Sequence, residues 1–389
     1  MDILARIEEI WSKRITRREF LHEAVRAGAM IAAASGAGIF PGKAALASVK
    51  ERRGMREALY YETLPGGKVK CVLCPNNCVM GDGQRGFCRA REPENGKLYS
   101  LVYELICASH IDPIEKKPVF HMLPGSKAFS IATAGCNSRC KYCQNWGISQ
   151  VPPEDTDNSI LTCSSLVSNA LAAGCDSIAY TYTEPVVFYE YVMDASRAAR
   201  EGGLRNIIVT GGKICPEPLR AMCGVIDAAN VDLKGFDREY LRSVCAQELD
   251  DILATLKMLR AKGVWLEITN LLVPGLNDNM ADIRRMAKWI RDELGPDVPL
   301  HFSRFWPQYK LRYLNPTPVD TLRKARDIAR EEGLFFVYIG NVPDPGAEDT
   351  ICPGCGKTVI RRMGYKVLGN DVGSGRCKYC GTSISGIWK

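Results

Sequence analysis

The sequence GCNSRCKYCQNWGISQ, residues Gly135–Gln150, decides how the rest of the chain is interpreted. It contains Cys136, Cys140 and Cys143 in a C-x3-C-x2-C arrangement, so three thiolates on one short loop can converge on a single metal centre. A structural zinc site takes four ligands, and ferredoxin-type clusters also take four cysteines, usually at other spacings. Three thiolates without an evident fourth predict an iron–sulfur cluster with one open iron. The alternative is a chance grouping of structural cysteines.

The composition is that of an ordinary globular protein with one outlier. Of 389 residues, 46% are hydrophobic and 24% are charged. The net charge of +7 comes without a dense Lys/Arg tract interleaved with aromatic residues, so we expect no nucleic-acid partner. The outlier is cysteine, with 17 residues. Most lie in three groups whose short spacings are typical of metal sites rather than disulfides. The others, Cys245 among them, are scattered and suit small buried hydrophobes.

Residues 1–47 have the pattern of a twin-arginine export signal. Thr16–Leu21 reads TRREFL, Ala27–Phe40 is mildly apolar, and Ala45–Ala47 offers a cleavage site. The alternative is an ordinary amphipathic helix. The twin-arginine route carries folded proteins, which suits an iron–sulfur protein, whereas an oxidising compartment does not suit unpaired cysteines. The sequence therefore leaves the location of the protein open.

Residues 48–126 are predicted to form an N-terminal cysteine-rich module that binds metal. Its ligand candidates are Cys71, Cys74, Cys78 and Cys88, which stand among glycines that permit tight turns around a metal. Four thiolates suit either zinc or an iron–sulfur cluster, and two disulfides are the alternative in an exported protein. Asp112–Pro118, charged and bracketed by prolines, is predicted to be a loop that leads into the next domain.

Residues 127–345 alternate apolar runs of strand length with helical patterns. The strand candidates are Ala128–Thr133, Ser177–Tyr182, Asn206–Thr210, Ala229–Leu233, Val264–Leu272, Leu300–Phe305 and Leu334–Ile339. Two apolar helical stripes are Ile283, Met286, Ala287, Ile290 and Leu294, with Asn279 as cap, and Leu241, Cys245, Leu249, Ile252, Leu256 and Leu259. The alternation predicts a parallel α/β sheet, arranged as an open or closed barrel with function on the loops after the strands. A doubly wound sheet is disfavoured, because no clean G-x-G-x-x-G opens a helix.

Polar residues follow several of these strands. Glu184, in TYTEP, could hold an ammonium group by a charge-assisted hydrogen bond, or could be a surface residue in a first helical turn. Gly211 and Gly212 would let a ligand approach the backbone. Asp232 and Lys234 share one side of their strand by alternation, and an internal salt bridge is the competing use of Lys234. Asn270, Asn277, His301, Arg304 and Tyr309 are interpreted as structural or substrate-positioning residues.

Residues 346–389 are predicted to form a zinc-ribbon or rubredoxin-like module. Its paired C-x2-C knuckles are Cys352, Cys355, Cys377 and Cys380, which flank the strand-rich stretch Thr358–Leu368. Zinc is the predicted metal, because a closed structural site needs no redox change. A metal-free module is the weaker alternative, since so short a segment buries little apolar surface on its own.

Taken together, the motifs resemble one family. GCN-x2-C-x-YCQNW-x-ISQ, DPIEKKP-x3-H, TYTEP, VDLKGF, PGLND, HFSRF-x-P-x-Y and VYIGNV, with both outer cysteine groups, are similar to the radical S-adenosylmethionine (SAM) enzyme of the AmmeMemoRadiSam system. More broadly, they resemble the pyruvate formate-lyase activating enzyme. The resemblance covers about Cys71 to Lys389. It departs at Gly211, where the family pattern tends to have Asn, and that departure puts a side-chain contact from position 211 to the SAM ribose in doubt.

The resemblance implies a partial (β/α) barrel of the TIM type with a 4Fe–4S cluster on Cys136, Cys140 and Cys143. SAM would chelate the open iron, with Tyr142 against its adenine, Glu184 on its amino group and Lys234 near its polar part. Reductive cleavage of SAM would give a 5′-deoxyadenosyl radical for hydrogen abstraction from an unknown substrate, a small molecule or a protein glycine as in an activase.

The same resemblance implies partners: an electron donor such as flavodoxin or ferredoxin, and Memo-type and Ammecr-type proteins. A cytoplasmic co-substrate such as SAM conflicts with export, so the location stays open. The alternative class is an electron-transfer protein with several iron–sulfur centres and no SAM cleavage.

Overall fold

The computed structural model describes residues 54–389, and the predicted export signal at residues 1–47 lies outside the described residues. The described residues belong to one structural unit, Arg53–Lys389. Across this described part of the chain, no helix has both the length and the apolar composition that a membrane crossing requires.

The N-terminal residues form short antiparallel strands around the first cysteine group. The strands are β1 Arg56–Glu57, β2 Tyr61–Thr63, β3 Val69–Cys71, β4 Val79–Met80, β5 Arg91–Glu94, β6 Lys97–Ser100 and β7 Leu105–Ile106. The first six make two three-stranded sheets, in the orders β1-β6-β5 and β2-β3-β4. A buried ion pair joins them to the central part of the chain, because Arg91 Nη2 donates to Glu190 Oε1 at 2.6 Å.

The centre of the molecule is an eight-stranded sheet. Its strands are β8 Ala108–Pro113, β9 Lys127–Ala132, β11 Ser177–Tyr180, β12 Arg205–Thr210, β13 Ala228–Asp232, β14 Trp265–Leu272, β15 Leu300–Arg304 and β16 Val337–Gly340, while the short β10, Ser159–Ile160, pairs with β7. The order is β16-β15-β14-β13-β12-β11-β9-β8, and all neighbours from β9 to β16 are parallel. The predicted α/β sheet is confirmed, and each predicted apolar run forms one of its parallel strands.

The strand β8 corrects the loop predicted over Asp112–Pro118. Ala108–Pro113 pairs antiparallel with β9, and Asp112 lies opposite Ala128. The strand forms one edge of the sheet, and most of its side chains are at least partly exposed. It therefore lacks the apolar run of a strand buried on both faces. The chain leaves the sheet only at the 3-10 turn Ile114–Lys116.

Helices alternate with the parallel strands. They are Trp146–Ser149, Cys163–Ala172, Tyr189–Glu201, Pro216–Met222, Arg238–Tyr240, Leu249–Ala261, Met280–Leu294 and Val319–Glu331, with 3-10 turns at Pro65–Gly67, Pro153–Asp155 and Tyr309–Leu311. Met280–Leu294 buries its predicted apolar stripe and is capped by Asn279, whose Oδ1 accepts from the Ala281 N–H at 2.8 Å.

The second predicted stripe is not one helix. It begins as the π-helical turn Leu241–Cys245, stops at Ala246 with a left-handed φ of 55°, and continues in the helix Leu249–Ala261. All six stripe residues are nevertheless buried.

The C-terminal residues pack against the central sheet. The strands are β17 Thr350–Ile351, β18 Thr358–Met363, β19 Lys366–Asn370, β20 Val372–Gly373 and β21 Arg376–Cys377. Cys352, Val359 and Ile360 share an apolar cluster with Phe120 and Tyr338. Arg362 Nη2 also donates to the Phe120 carbonyl at 2.7 Å. The end of the chain therefore covers the loop between β8 and β9.

Candidate functional site

A cavity of about 510 Å³ lies at the carboxyl ends of the parallel strands. Residues on or after every parallel strand line it, from Cys136 after β9 to Asn341 after β16. All six residues predicted to hold the cluster and SAM line this cavity: Cys136, Cys140, Cys143, Tyr142, Glu184 and Lys234. The carboxyl ends of the strands are where α/β barrels carry their active sites, so we take this cavity as the candidate site.

The cysteine loop is fixed by backbone contacts on two sides. The N–H groups of Arg139 and Lys141 donate to the carbonyls of Cys245 and Val244 at 2.9 and 3.0 Å. Gly135 has a φ of +94°, and a Cβ there would lie 2.5 Å from the carbonyl oxygen of Cys88. Only glycine suits this position, because the loop is held between the π-helical turn and the N-terminal module.

The surroundings of the three thiols suit metal binding, because without a cation they disfavour the thiolate form. Burial raises the pKa of the Cys136 and Cys143 thiols, and the pKa of Cys140 is raised chiefly by its hydrogen bond with Cys245. A lone thiolate is therefore disfavoured here, and a bound cation supplies the charge that restores the thiolate form. Two donors already point at the sulfurs: Ser138 N–H lies 3.4 Å from Cys136 Sγ, and Ser149 Oγ lies 3.2 Å from Cys143 Sγ.

A fourth thiol lies next to this loop, and no sequence motif marks it. Cys245 Sγ is 3.3 Å from Tyr142 Oη, and the residue is fully buried. Burial opposes its ionisation, but hydrogen bonds from Cys140 and Tyr142 and the charge of Lys234 leave the pKa of Cys245 lowered. It does not line the cavity. In the sequence, Cys245 stands within an apolar helical stripe, which predicts that it is buried but not that it lies next to the cysteine loop.

The carboxylate of Glu184 is buried, and most of its acceptor positions are used. Oε1 accepts from Thr210 Oγ1 at 2.6 Å and from the Val186 N–H at 3.3 Å, and Oε2 accepts from the Gly211 N–H at 2.9 Å. Burial raises the pKa of Glu184, and these donors oppose that rise. An ionised carboxylate has about four acceptor positions, so about one is left for a ligand in the cavity.

Lys234 and Asp232 form the salt bridge that was the competing use of Lys234, and both also line the cavity. Lys234 Nζ donates to Asp232 Oδ2 at 2.8 Å and lies 6.0 Å from the centroid of the Tyr142 ring. Burial opposes the charge on Lys234, but Asp232 raises the pKa of Lys234 well above its ordinary value. The ammonium is therefore retained next to the cysteine loop, where it can meet an anionic group.

The structure gives a physical reason for glycine at position 211. A Cβ on Gly211 would lie 2.7 Å from Gln247 Nε2. That amide donates to the Gly211 carbonyl and to Ser138 Oγ, each at 3.2 Å. Gln247 therefore occupies the space that a side chain at position 211 would need. It follows the left-handed Ala246, and its local sequence does not indicate this role.

A second polar cluster also lines the cavity. Lys117 Nζ donates to Asp112 Oδ2 at 2.6 Å, and burial lowers the pKa of Lys117 to about 8. His301 Nε2 lies 2.7 Å from Glu267 Oε2, which also accepts from the Phe120 N–H at 3.0 Å. Lys117 and His301 both border the cavity. Glu267 was missed, because a single acidic residue in an apolar strand does not indicate its partners.

The outer cysteine groups are also gathered in space. The sulfurs of Cys352, Cys355, Cys377 and Cys380 all lie within 4.8 Å of one another. A tetrahedral ion with metal–sulfur bonds of about 2.3 Å needs sulfurs about 3.8 Å apart, so this set fits one ion. The first group, Cys71, Cys74, Cys78 and Cys88, lines a small separate cavity of about 20 Å³.

Comparison with known proteins identifies the class. Residues 130–290 match the Radical SAM superfamily, and the chain belongs to this superfamily. Members are enzymes that use an iron–sulfur cluster to cleave SAM. The chain is 47% identical over 332 residues to an uncharacterized protein of Methanocaldococcus jannaschii, which covers 85% of this chain and 99% of that protein. It is 30% identical over 112 residues to the benzylsuccinate synthase activating enzyme of Thauera aromatica, 28% of this chain and 33% of that protein.

Solved structures are similar over parts of the chain. A domain of pyruvate-formate lyase-activating enzyme from Bacteroides vulgatus is 16% identical, with a TM-score of 0.38, and covers 42% of this chain and 99% of that one. A radical SAM methyltransferase from Sphaerobacter thermophilus is 14% identical, with a TM-score of 0.46, and covers 78% and 83% of the two chains. The narrower resemblance to the AmmeMemoRadiSam group stays a prediction.

Proposed function

We propose that this protein cleaves SAM reductively in the cavity and uses the resulting 5′-deoxyadenosyl radical to abstract hydrogen from a substrate bound beside the second polar cluster. The observation that carries the proposal is the set of groups around one space of about 510 Å³, which is lined both by three thiols and by a second polar cluster. A cavity of this size is ordinary for a small-molecule site. A 4Fe–4S cluster on Cys136, Cys140 and Cys143 supplies the electron that breaks the carbon–sulfur bond of SAM.

The protein's own residues orient SAM and exclude water. Three thiolates leave one iron of a four-iron cluster without a protein ligand in the cavity, and the amino and carboxylate groups of SAM would complete it. The remaining acceptor position of Glu184 suits the ammonium of SAM, and the cation of Lys234 suits its carboxylate. Tyr142, 4% exposed, gives the adenine an apolar surface.

The shape of the sheet supports a partial barrel. Seven parallel strands laid flat would spread over about 30 Å at their ordinary spacing of about 4.8 Å. Residues on or after all seven nevertheless border one cavity. We therefore infer a sheet that curves around the site and stays open between β8 and β16, its two edges.

The substrate would enter the cavity near the open edges of the sheet, at β8 and β16. Two exposed residues border the cavity there. They are Lys116, whose side chain is 42% exposed, and Tyr365, which is 47% exposed. A small molecule or a segment of a partner protein can reach the cavity from this side, and the activase role belongs to the second case. Flavodoxin or ferredoxin remains the proposed electron donor, and Memo-type and Ammecr-type proteins remain proposed partners.

The test is anaerobic reconstitution followed by measurement of 5′-deoxyadenosine. Changing Cys136, Cys140 and Cys143 together to Ala should abolish its formation, because no cluster can be held next to SAM. The matched control changes three scattered cysteines, Cys107, Cys163 and Cys223, to Ala. Unchanged SAM cleavage in the first variant would refute the proposal.

Cys245 is the observation that favours the rival, an electron carrier, because it could complete a four-cysteine site. Its Sγ lies 3.3 Å from Tyr142 Oη, next to the cysteine loop. The variant Cys245→Ala separates the two functions. In a SAM-cleaving enzyme it should keep its cluster and its cleavage activity, because SAM takes the open iron. Loss of the cluster in the variant, with no SAM cleavage by the wild type, would instead support the carrier.

A further inference from the structure

We propose that Cys71, Cys74, Cys78 and Cys88 hold a second iron–sulfur cluster, which passes electrons to the cluster next to SAM. The four cysteines line one cavity together with Arg91 and Asn137. The presence of a second cluster follows from this site alone. Its role as a relay rests on the proposed function.

The spacing of the sulfurs favours a cluster over a single ion. In the described part of the chain, the C-terminal cysteines are the set whose sulfurs all lie within 4.8 Å of one another, and the N-terminal four do not meet that limit. A single tetrahedral zinc ion needs sulfurs about 3.8 Å apart. The triplet Cys136, Cys140 and Cys143 fails the same limit. Both the N-terminal group and the triplet therefore differ from the C-terminal set, whose spacing fits one ion.

A buried donor next to these cysteines points to a ligand. Arg91 is 2% exposed and borders the cavity, and its Nε–H has no hydrogen-bond partner among the described residues. Its Nη2 is used by Glu190, at 2.6 and 2.7 Å. A buried donor without an acceptor is strongly disfavoured. A bound metal centre would supply acceptors inside the cavity, the thiolates of any metal site and, in a cluster, the inorganic sulfides as well.

The N-terminal site is in direct contact with the cysteine loop. A Cβ on Gly135 would lie 2.5 Å from the Cys88 carbonyl, so the backbones on either side touch, and Cys136 is the next residue. Asn76 Nδ2 donates to the Asn137 carbonyl at 3.1 Å. Lys213 then links both loops, because its Nζ donates to Asn76 Oδ1 at 2.6 Å and its carbonyl accepts from Asn137 Nδ2 at 2.7 Å.

These contacts define a short route for an electron. The rate of electron tunnelling falls steeply with distance. Here Cys136, a ligand of one centre, follows Gly135, which contacts the carbonyl of Cys88, a ligand of the other centre. A donor protein of the flavodoxin or ferredoxin class would give one electron to the N-terminal centre. That centre would return to its oxidised state when it passes the electron to the centre next to SAM. The electron would reduce the centre next to SAM and from there pass to the sulfonium of SAM. With one electron of the carbon–sulfur bond it would form a lone pair on the sulfur of methionine, while the other electron of that bond would remain on the 5′ carbon as the radical.

The presence of the cluster is tested by metal and sulfide analysis of the full chain after anaerobic reconstitution. The wild type should hold about eight irons and eight sulfides, two clusters of the 4Fe–4S type. The Cys136/Cys140/Cys143→Ala variant should retain about half of each and show the paramagnetic signal of a reduced cluster after dithionite. This variant leaves the N-terminal module unchanged. Zinc in place of iron, or complete loss of iron and sulfide, would overturn the proposal.

The relay is tested with Cys78→Ser, with Cys215→Ala as a matched control. The Cys215 N–H donates to the Leu73 carbonyl at 3.0 Å, but Cys215 does not line the cavity. For each protein, 5′-deoxyadenosine formation is measured with reduced flavodoxin and with dithionite. The ratio of the two rates should fall by about tenfold or more in Cys78→Ser and stay at the wild-type value in the control.

The outcomes separate the relay from the proposed function. An unchanged ratio in a Cys78→Ser protein that has lost about four irons would overturn the relay. If Cys78→Ser does not fold, the pair Cys71→Ser and Cys74→Ser is measured in the same way. A wild type that forms no 5′-deoxyadenosine with either reductant contradicts the proposed function and with it the relay, while the iron content still decides the second cluster.

Discussion

At the residue scale, Glu184 separates a SAM-binding enzyme from an electron carrier. Its carboxylate already accepts from Thr210 and from the Gly211 N–H, and about one acceptor position is left for the cavity. The charge-assisted bond to an ammonium contributes on the order of 1.5–3 kcal/mol, about one to two decades of affinity. Glu184→Gln keeps the shape and removes the charge. We expect an intact cluster, SAM affinity weaker by about tenfold to a hundredfold, and slower 5′-deoxyadenosine formation.

The matched control is Glu217→Gln, an exposed carboxylate in the first turn of the helix Pro216–Met222. It should leave SAM affinity unchanged, because it lies outside the cavity. Calorimetric titration of the reconstituted proteins with SAM gives the comparison. Equal SAM affinity and equal cleavage rates in Glu184→Gln and wild type would show that Glu184 does not bind SAM. Its role would then be to stabilise the start of a helix.

The placement of residues around the cavity could be predicted from sequence wherever they lie in a motif directly after a strand. The cysteine triplet, Glu184 and Lys234 are of this kind, since the strand places the motif at the rim. Gln247 and Glu267 are not. Gln247 reaches Gly211 only because the chain turns at Ala246, and the partners of Glu267 come from the loop after β8 and from β15. Such positions depend on packing between distant segments, which no local pattern encodes.

At the scale of elements, burial on both faces made the parallel strands visible in the sequence. β11, for example, is buried at all of its residues, Ser177–Tyr180, so it reads as a continuous apolar run. The edge strand β8 has no such run, so it was not predicted, and its last two residues fell within the predicted loop Asp112–Pro118. The break at Ala246 was missed because the apolar stripe continues across it. Periodicity reports which residues are buried, and a single left-handed residue does not change that.

The loop between β8 and β9 makes a pH-dependent contact with the end of the chain. His121 Nδ1 donates to the Ser385 carbonyl at 2.7 Å, and Nε2 accepts from Tyr338 Oη at 2.6 Å, as a neutral imidazole does. Burial lowers the pKa of His121 to about 4 from its ordinary 6.5, while Glu267 pulls the other way and Arg362 and His301 add to the lowering. Protonation would remove the acceptor that Tyr338 uses.

This contact predicts a loss of stability on mild acidification. Between the two pKa values the unfolded chain binds the proton and the folded chain does not, so the stabilisation is complete above about pH 6.5 and decreases towards pH 4. His121 should account for about 2 kcal/mol of unfolding free energy lost between about pH 7 and pH 5. Denaturant unfolding at both pH values should show this loss reduced in His121→Gln. The exposed His110 provides the control, and a His121→Gln protein with the same loss as wild type would contradict the prediction.

At the scale of the molecule, both outer cysteine modules are joined to the central sheet by buried ion pairs. Arg91 of the N-terminal module pairs with Glu190 at 2.6 Å. Arg362 of the C-terminal module lies 3.6 Å from Glu115, and both side chains are fully buried. Removal of one partner from such a pair costs about 3–5 kcal/mol, because the other charge is left in the interior. The modules are therefore bound to the fold of the sheet, and a change in either should alter the stability of the whole chain.

The C-terminal metal should act on stability rather than on SAM binding. Its four sulfurs connect the loop before β18 with the strand β21, and β18 carries Arg362 to Glu115 and to the Phe120 carbonyl. Without the metal, the contacts between the two knuckles include weak thiol contacts of 3.6 and 3.8 Å, Lys357 Nζ 4.7 Å from the centroid of the Tyr379 ring, and the packing of Gly354 against Thr382. Arg362 would then be held less firmly, and its charge would lie in the interior without a fixed partner.

We therefore predict that Cys355→Ser with Cys380→Ser, both exposed thiols, removes about one metal ion, which the sequence predicts to be zinc. The melting temperature should fall by about 5–10 °C, because a structural metal contributes folding energy directly. The reconstituted iron content and the SAM affinity should stay at wild-type values, since neither thiol lines the SAM cavity. Cys163→Ser with Cys223→Ser is the control. Melting and metal content unchanged from the wild type would mean that packing on Phe120 and Tyr338 alone holds the module in place.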